Sequence, residues 1–197
     1  EEATLADREL ATYLAKAQQQ LENENYANAV LLLDHVLGAA EGGLIRPDLD
    51  LPLYQSLRAE AERILASLPA VAREAYELRY GLIARKELDA ALASGDLEAL
   101  QNVIRRYRFT QAGAEASLVW ARHLLDRNQP LPAAITLERL QQNWAASPFD
   151  SATTWHHALS WLRAGMIQEA RSRLTALTDR ERRDLELAGL PVEMRDL

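Results

Sequence analysis

The sequence lacks cysteine, so disulfide bonds, thiolate zinc sites and redox Cys-x-x-Cys motifs are all excluded. It also lacks any apolar run near the roughly 18 to 20 residues of a membrane-spanning helix, and nothing resembles a signal peptide. Membrane insertion is therefore not expected. What the chain does have is 197 residues that are 48% hydrophobic and 26% charged, which predicts one folded domain over residues 1–197.

The sequence has fewer basic than acidic residues, and its formal net charge is −7. An acidic surface repels a phosphate backbone, so nucleic acid is not an expected partner. The sequence begins Glu1, Glu2, Ala3 without methionine, and we expect a mature or excised fragment whose targeting segment, if any, has been removed. The composition and these first residues do not indicate in which cellular compartment the protein works.

Gly165 lies between two segments that each place apolar residues at helical spacing. The apolar residues before it are Ala158, Trp161 and Leu162, and those after it are Ile167, Ala170, Leu174 and Leu177. Glycine just beyond a helix adopts a left-handed cap easily, whereas inside a helix it costs about 1 kcal/mol relative to alanine. We therefore expect Gly165 to join two helices of about 12 residues each.

The same spacing recurs three more times. Each set has a residue in the first helix, a joint residue seven positions later, and a residue in the second helix five positions after the joint. The four sets are Ala17, Glu24, Ala29; Leu88, Gly95, Leu100; Ala121, Asn128, Ala133; and Ala158, Gly165, Ala170. The first-helix positions are 71, 33 and 37 residues apart, which fits a period of about 34 residues with one degenerate copy in the long interval. A helix from Tyr54 to Ser67, followed by a helix that opens at Pro69, supplies that copy.

These patterns predict an all-α protein, a right-handed α-solenoid of about five antiparallel helical hairpins. The hairpins are expected at about 5–40, 54–80, 82–107, 112–145 and 148–178, followed by a C-terminal capping segment at 179–197. In that segment Leu185, Leu187 and Leu190 are expected to cover the apolar end of the last hairpin. The irregular segment 41–53 either crosses between hairpins or forms an apolar docking strip.

Small residues are expected at the positions where two helices cross, since alanine or glycine there lets the two backbones approach closely. The pattern resembles the tetratricopeptide repeat family over most of residues 10–178, with small residues at the first-helix and second-helix positions given above. Leu88 and Leu100 depart from it, so we expect looser packing or a wider crossing there.

A second resemblance rests on LPAVAREAYELRYG (68–81), ALASGDLEALQNVIRRY (91–107) and HLLDRNQPLPAAITLERL (123–140). These segments are similar to the N-terminal helical region of large exported bacterial proteins that end in a β-propeller of the pyrroloquinoline-quinone-enzyme type. The resemblance implies an excised N-terminal interaction domain and favours a periplasmic or cell-envelope location over the cytoplasm.

The chemistry-bearing residues do not form a recognisable catalytic or metal motif. His156 and His157 are adjacent, so on a helix they point about 100° apart and are not expected to hold one ion. His123 and Asp126 have ligand spacing, but this pattern is typical of a surface hydrogen bond or of a charge near a helix end. No nucleophile elbow, phosphate loop or dinucleotide fingerprint occurs. We expect no enzymatic activity, no cofactor and no metal.

The resemblance to tetratricopeptide arrays implies a partner-binding concave surface lined by the first helices. Carried over by position, the candidate partner-binding residues are Gln18, Arg85, Asp89, Leu118, Arg122, Trp155, Leu159 and Arg163. Arg85, Arg122 and Arg163 would suit an acidic segment or a C-terminal carboxylate, although arginines that are solvated and paired with neighbours fit the pattern equally well.

We therefore expect a non-catalytic protein–protein interaction scaffold that binds a peptide or protein. The alternative is a structural spacer or multimerisation domain that positions a C-terminal β-propeller in a larger exported protein, with homo-oligomerisation left open.

Overall fold

The computed structural model describes residues 5–39, 43–45, 55–143, 151–175, 177–178, 182–183 and 186. Helices dominate these residues, and the predicted all-α class is confirmed. The helices are α1 (Leu5–Glu22), α2 (Tyr26–Gly38), α3 (Leu57–Ala66), α4 (Ala70–Ser94), α5 (Leu97–Tyr107), α6 (Gln111–Asp126), α7 (Pro130–Asn143), α8 (Ser151–Arg163) and α9 (Ile167–Thr175). Two short strands, β1 (Leu44–Ile45) and β2 (Gln55–Ser56), pair antiparallel, with Leu44 opposite Ser56.

The chain divides into two compact units, Glu1–Gly113 and Ala114–Leu197. In the first unit, α1 packs against α2, α2 packs against α3 and α4, and α4 packs against α5. In the second unit, α6 and α7 share one apolar cluster, while α8 packs against both α7 and α9.

Four helix-to-helix turns share one backbone geometry. In each turn one residue is left-handed, and the amide of the next residue donates a hydrogen bond to the carbonyl five positions earlier. The left-handed residues are Glu24, Gly95, Asn128 and Gly165, with φ of 56°, 67°, 56° and 81°. The bonds run from Asn25 to Gln20, Asp96 to Ala91, Gln129 to Leu124 and Met166 to Trp161, at 2.8 to 3.1 Å. These are the four joint positions that the sequence spacing predicts, so the prediction of a joint at Gly165 is confirmed.

The predicted crossing residues are buried. All six alanines at these positions are at most 1% exposed, and they are Ala17, Ala29, Ala121, Ala133, Ala158 and Ala170. Leu88 and Leu100 take the equivalent positions in the α4–α5 pair and are also buried. The spacing therefore identifies the side chains that lie in the helix contacts, because a small side chain there lets the backbones approach.

The predicted boundary between the second and third hairpins is wrong. Separate hairpins were expected at 54–80 and 82–107, but α4 continues through Gly81 without a break. One glycine inside a helix costs only about 1 kcal/mol relative to alanine, and burial of a large side chain outweighs that cost. Tyr80 and Ala84, on either side of Gly81, are both buried on the core face of α4.

The connection between α3 and α4 differs from the four equivalent turns. None of the left-handed residues in the described part of the chain lies between α3 and α4. Pro69 was predicted to be the first residue of the second helix, but α4 begins one residue later, at Ala70. The Pro69 carbonyl accepts hydrogen bonds from the Ala72 and Arg73 amides. The described residues therefore contain four hairpins of one kind, with α3 as an additional helix packed on α1 and α2, instead of five equivalent hairpins.

Side chains of residue types that favour helix N-termini cap α3 and α5. Ser56 accepts from the Ala59 amide at the start of α3, and Asp96 accepts from the Glu98 and Ala99 amides at the start of α5. Pro130 occupies the first position of α7, where no amide donor is needed.

Two predictions fall largely outside the described residues. Of the segment 41–53, only residues 43–45 are described, and they include strand β1. Leu185, Leu187 and Leu190 of the predicted capping segment also lie outside the described residues.

Candidate functional site

A small cleft between α6 and α8 brings together two of the predicted partner-binding residues. Leu118 and Arg122 of α6 and Thr153 and His156 of α8 line it, and we call these four residues the α6–α8 cleft. Its floor is apolar and consists of Ala121, Leu125 and Leu137. The cavity volume is about 10 Å³, which is room for about one water molecule, so the cleft suits a single side chain tip better than an enclosed small molecule.

The predicted residues of α8 extend this surface unequally. His156, Leu159 and Arg163 follow one another at spacings of three and four, so they lie on one face of α8. Arg163 is exposed and Leu159 is half-buried. Trp155 is only 9% exposed and meets the His156 ring edge-on at 5.2 Å, so most of its surface is already covered inside the protein.

The other predicted residues belong to the first unit. Gln18 is exposed on α1, and Arg85 lies 3.8 Å from Asp89 on α4. Arg85 and the pair Arg122 and Arg163 are in different compact units, so the arginine ladder stays a prediction.

An exposed apolar stripe on α4 was not predicted from the sequence. Val71, Leu78 and Leu82 follow one another at spacings of seven and four, so they share one face of the helix, and Arg85 and Asp89 continue that face. We call these five residues the α4 stripe. Leu78 is 85% exposed and Leu82 is 82% exposed.

The core side chains of α4 lie on the opposite face and include Tyr76, Tyr80, Ala84 and Leu88. α4 therefore has apolar residues on two opposite faces, and one of these faces is open to solvent.

A buried polar cluster in the second unit links three helices around His157. His157 is 2% exposed, and its Nε2 accepts a hydrogen bond from the Trp161 indole at 2.9 Å. Glu138 Oε2 of α7 lies 3.3 Å from the same nitrogen and also accepts from the Arg173 guanidinium of α9. Burial, followed by the charge of Arg173, lowers the pKa of His157 to about 4 although Glu138 opposes the shift. His157 is thus a neutral structural side chain at neutral pH.

The first unit contains a cluster of buried tyrosines. Tyr76 donates to the Arg106 carbonyl at 3.3 Å, and Tyr107 donates to Glu87 Oε1 at 3.1 Å. Burial raises the pKa of Tyr76 and Tyr80, and it raises that of Tyr107 to about 12. These hydroxyls are therefore protonated hydrogen-bond donors within the core, a role that stabilises α4 and α5.

The two adjacent histidines face different surroundings, as their spacing predicts. His156 lines the α6–α8 cleft, whereas His157 lines a second small cavity with Gln141 and Thr154. Within the described ranges, no three histidine or acidic side chains come together as metal ligands would. None of the helices in the described part of the chain is both long enough and apolar enough to cross a bilayer.

Comparison of the chain with protein-family models, with curated proteins and with solved structures finds no significant match. The fold defines the class, which is an all-α protein with recurring helical hairpins.

Proposed function

We propose that this protein is a non-catalytic interaction module in which consecutive hairpins stack as a right-handed, tetratricopeptide-like solenoid. The recurrence of one turn geometry at four positions supports a repeat architecture, since each of these turns joins the two helices of one hairpin. The observation that carries the binding proposal is the α6–α8 cleft. There the first helices of two successive hairpins line one surface, which is where a solenoid presents its partner-binding residues.

The partner that suits this surface is an extended peptide with an acidic side chain or a free C-terminal carboxylate. Leu118 and Leu159 offer apolar contact, and the exposed guanidinium groups of Arg122 and Arg163 offer charge-assisted hydrogen bonds to a carboxylate. Trp155 contributes by holding His156 in place, since it contacts that ring and has little free surface of its own.

The test is fluorescence anisotropy with a labelled peptide library. The library pairs peptides that end in a free carboxylate with the same peptides ending in an amide, and peptides with acidic residues with neutral versions. We expect the carboxylate forms to bind, and Arg122→Ala and Arg163→Ala each to weaken binding about tenfold, because each removes a charge-assisted hydrogen bond.

Arg139→Ala is the matched control, because Arg139 is an exposed arginine on α7 and lies outside the α6–α8 cleft. If no carboxylate peptide binds, or if all three variants weaken binding equally, the arginines are solvated charges and the proposed site is wrong. Trp155→Ala is unsuitable as a test, since truncating a buried tryptophan destabilises the fold.

The second candidate function is multimerisation, including the role of a spacer that positions a C-terminal propeller. The exposed α4 stripe favours it, because a solvent-exposed row of large apolar side chains on one helix face marks an interaction surface. This surface involves other residues than the peptide proposal.

A further inference from the structure

The apolar side chains of the α4 stripe, Val71, Leu78 and Leu82, are all exposed to solvent. α4 has 25 residues, so it is about 37 Å long, and Leu78 and Leu82 lie near its middle. Both leucines are more than 80% exposed, while the same helix buries its opposite face in the core. A helix with apolar residues on both faces is expected to contact a second surface through the outer face.

We propose that the α4 stripe pairs with the α4 stripe of a second copy of this chain, with the two helices antiparallel. An isologous contact of this kind places residue i of one copy near residue j of the other and j near i. When Leu78 of one copy lies opposite Leu82 of the second, Glu74 of the first copy lies within one residue of the level of Arg85 of the second.

The charges on α4 support the antiparallel direction. Glu74 lies four residues before Leu78 and Arg85 three residues after Leu82, on the same edge of the helix face, so the antiparallel pair forms two Glu74–Arg85 contacts between copies. Ala75 and Lys86 lie on the other edge and take no part in these contacts. A parallel pair would instead place Arg85 level with Arg85 and Asp89 against Asp89, which is repulsive.

The size of the face sets the expected strength. The stripe from Val71 to Asp89 is about 27 Å long and about 10 Å wide, so the pair buries on the order of 500 Å² over both copies, which is well below the size of stable specific interfaces. The dimer is therefore expected to be weak, with a dissociation constant in the micromolar to millimolar range, and to show concentration dependence.

Sedimentation equilibrium over a wide concentration range tests the surface. We expect the unaltered protein to dimerise, and Leu78→Gln/Leu82→Gln to weaken dimerisation more than about a hundredfold, because four exposed leucines lose their apolar contact. Both sites are exposed, so folding is retained and circular dichroism checks it. Leu131→Gln/Ile167→Gln is the matched control, since these residues are also exposed and lie on α7 and α9.

Charge exchange tests the direction. Glu74→Arg alone and Arg85→Glu alone should each weaken dimerisation about tenfold, and an equal mixture of the two variants should restore it, because each mixed pair again joins opposite charges. Lys86→Glu, on the other edge of the stripe, serves as the charge control and should leave the dimer intact.

A chain that stays monomeric at every concentration overturns the proposal and assigns the stripe to another partner. A glutamine double variant that dimerises like the unaltered protein shows that the stripe is not the interface. A mixture that fails to restore dimerisation rules out the antiparallel arrangement. None of these results bears on the α6–α8 cleft, which involves other residues.

Discussion

Replacing His157 with glutamine should remove a defined pH dependence from the stability of the second unit. In the folded chain the pKa of His157 is about 4, against 6.5 for an unfolded chain. Between these two values only the unfolded chain binds a proton at this side chain. The free energy of unfolding therefore decreases as the pH falls through this window, and it is unaffected by His157 above the window.

The magnitude follows from the difference of about 2.5 between the two pKa values. Each unit corresponds to about 1.4 kcal/mol, so the full loss below pH 4 is about 3 kcal/mol. The charged groups that surround the ring come from α7 and α9. Glu138 favours the protonated ring and Arg173 opposes it, and burial decides the direction.

The assay is urea denaturation followed by tryptophan fluorescence between pH 7 and pH 4. All four tryptophans lie between residues 120 and 161, so this signal reports the second unit. Relative to the unaltered protein, His157→Gln should lose about 3 kcal/mol less stability over that range, because glutamine does not titrate. The matched control is His156→Gln, which leaves His157 in place. Parallel pH profiles for the unaltered protein and His157→Gln would refute a buried neutral histidine.

Two further predictions concern close approaches in the first unit, and both are measured by denaturant unfolding with circular dichroism. Gly113→Ala should cost about 2 kcal/mol, because a Cβ there would collide with the Tyr107 carbonyl, whereas Gly38→Ala meets no atom within 4 Å and should be neutral or slightly stabilising. An equal effect of the two changes would contradict the contact at Gly113. Ala29→Leu should cost about 2 kcal/mol by overpacking the contact between α1 and α2, while Ala27→Leu, at an exposed position of the same helix, should change the stability by less than about 0.5 kcal/mol. A neutral Ala29→Leu would mean that the crossing is loosely packed.

The turns could be predicted from the sequence because their requirements are local. A left-handed position favours glycine or asparagine, and Gly95, Asn128 and Gly165 satisfy it, while spacing from a buried first-helix residue places the joint in each case. Glu24 is the exception in residue type, and only its position within the repeated spacing indicates the turn.

The continuity of α4 could not be predicted in this way. A glycine in a helical pattern is a joint or an interior residue depending on whether the side chains around it are buried, which is a tertiary property. Gly81 and Gly165 look alike in sequence. Beside Gly81, the side chains of Tyr80 and Ala84 are buried on the core face of the helix, whereas Gly165 has the left-handed backbone of a turn, with φ of 81°.

The candidate surfaces were predictable only in part. Leu118 and Arg122 were candidates through the resemblance to tetratricopeptide arrays, but the position of His156 beside them depends on which helices are neighbours, and no spacing along the chain carries that information. Leu78 and Leu82 were missed because apolar residues at helical spacing are usually core, and only the structure shows that α4 buries the opposite face.

The uninterrupted α4 also determines how this protein can be divided. Helical-repeat proteins are often shortened, extended or recombined one repeat at a time, with junctions placed between repeats. A junction at Gly81 would cut through a helix whose two halves both contribute to one buried face, so neither fragment would keep a complete core. A junction after Tyr107 instead leaves α4 whole together with α5, which packs against it.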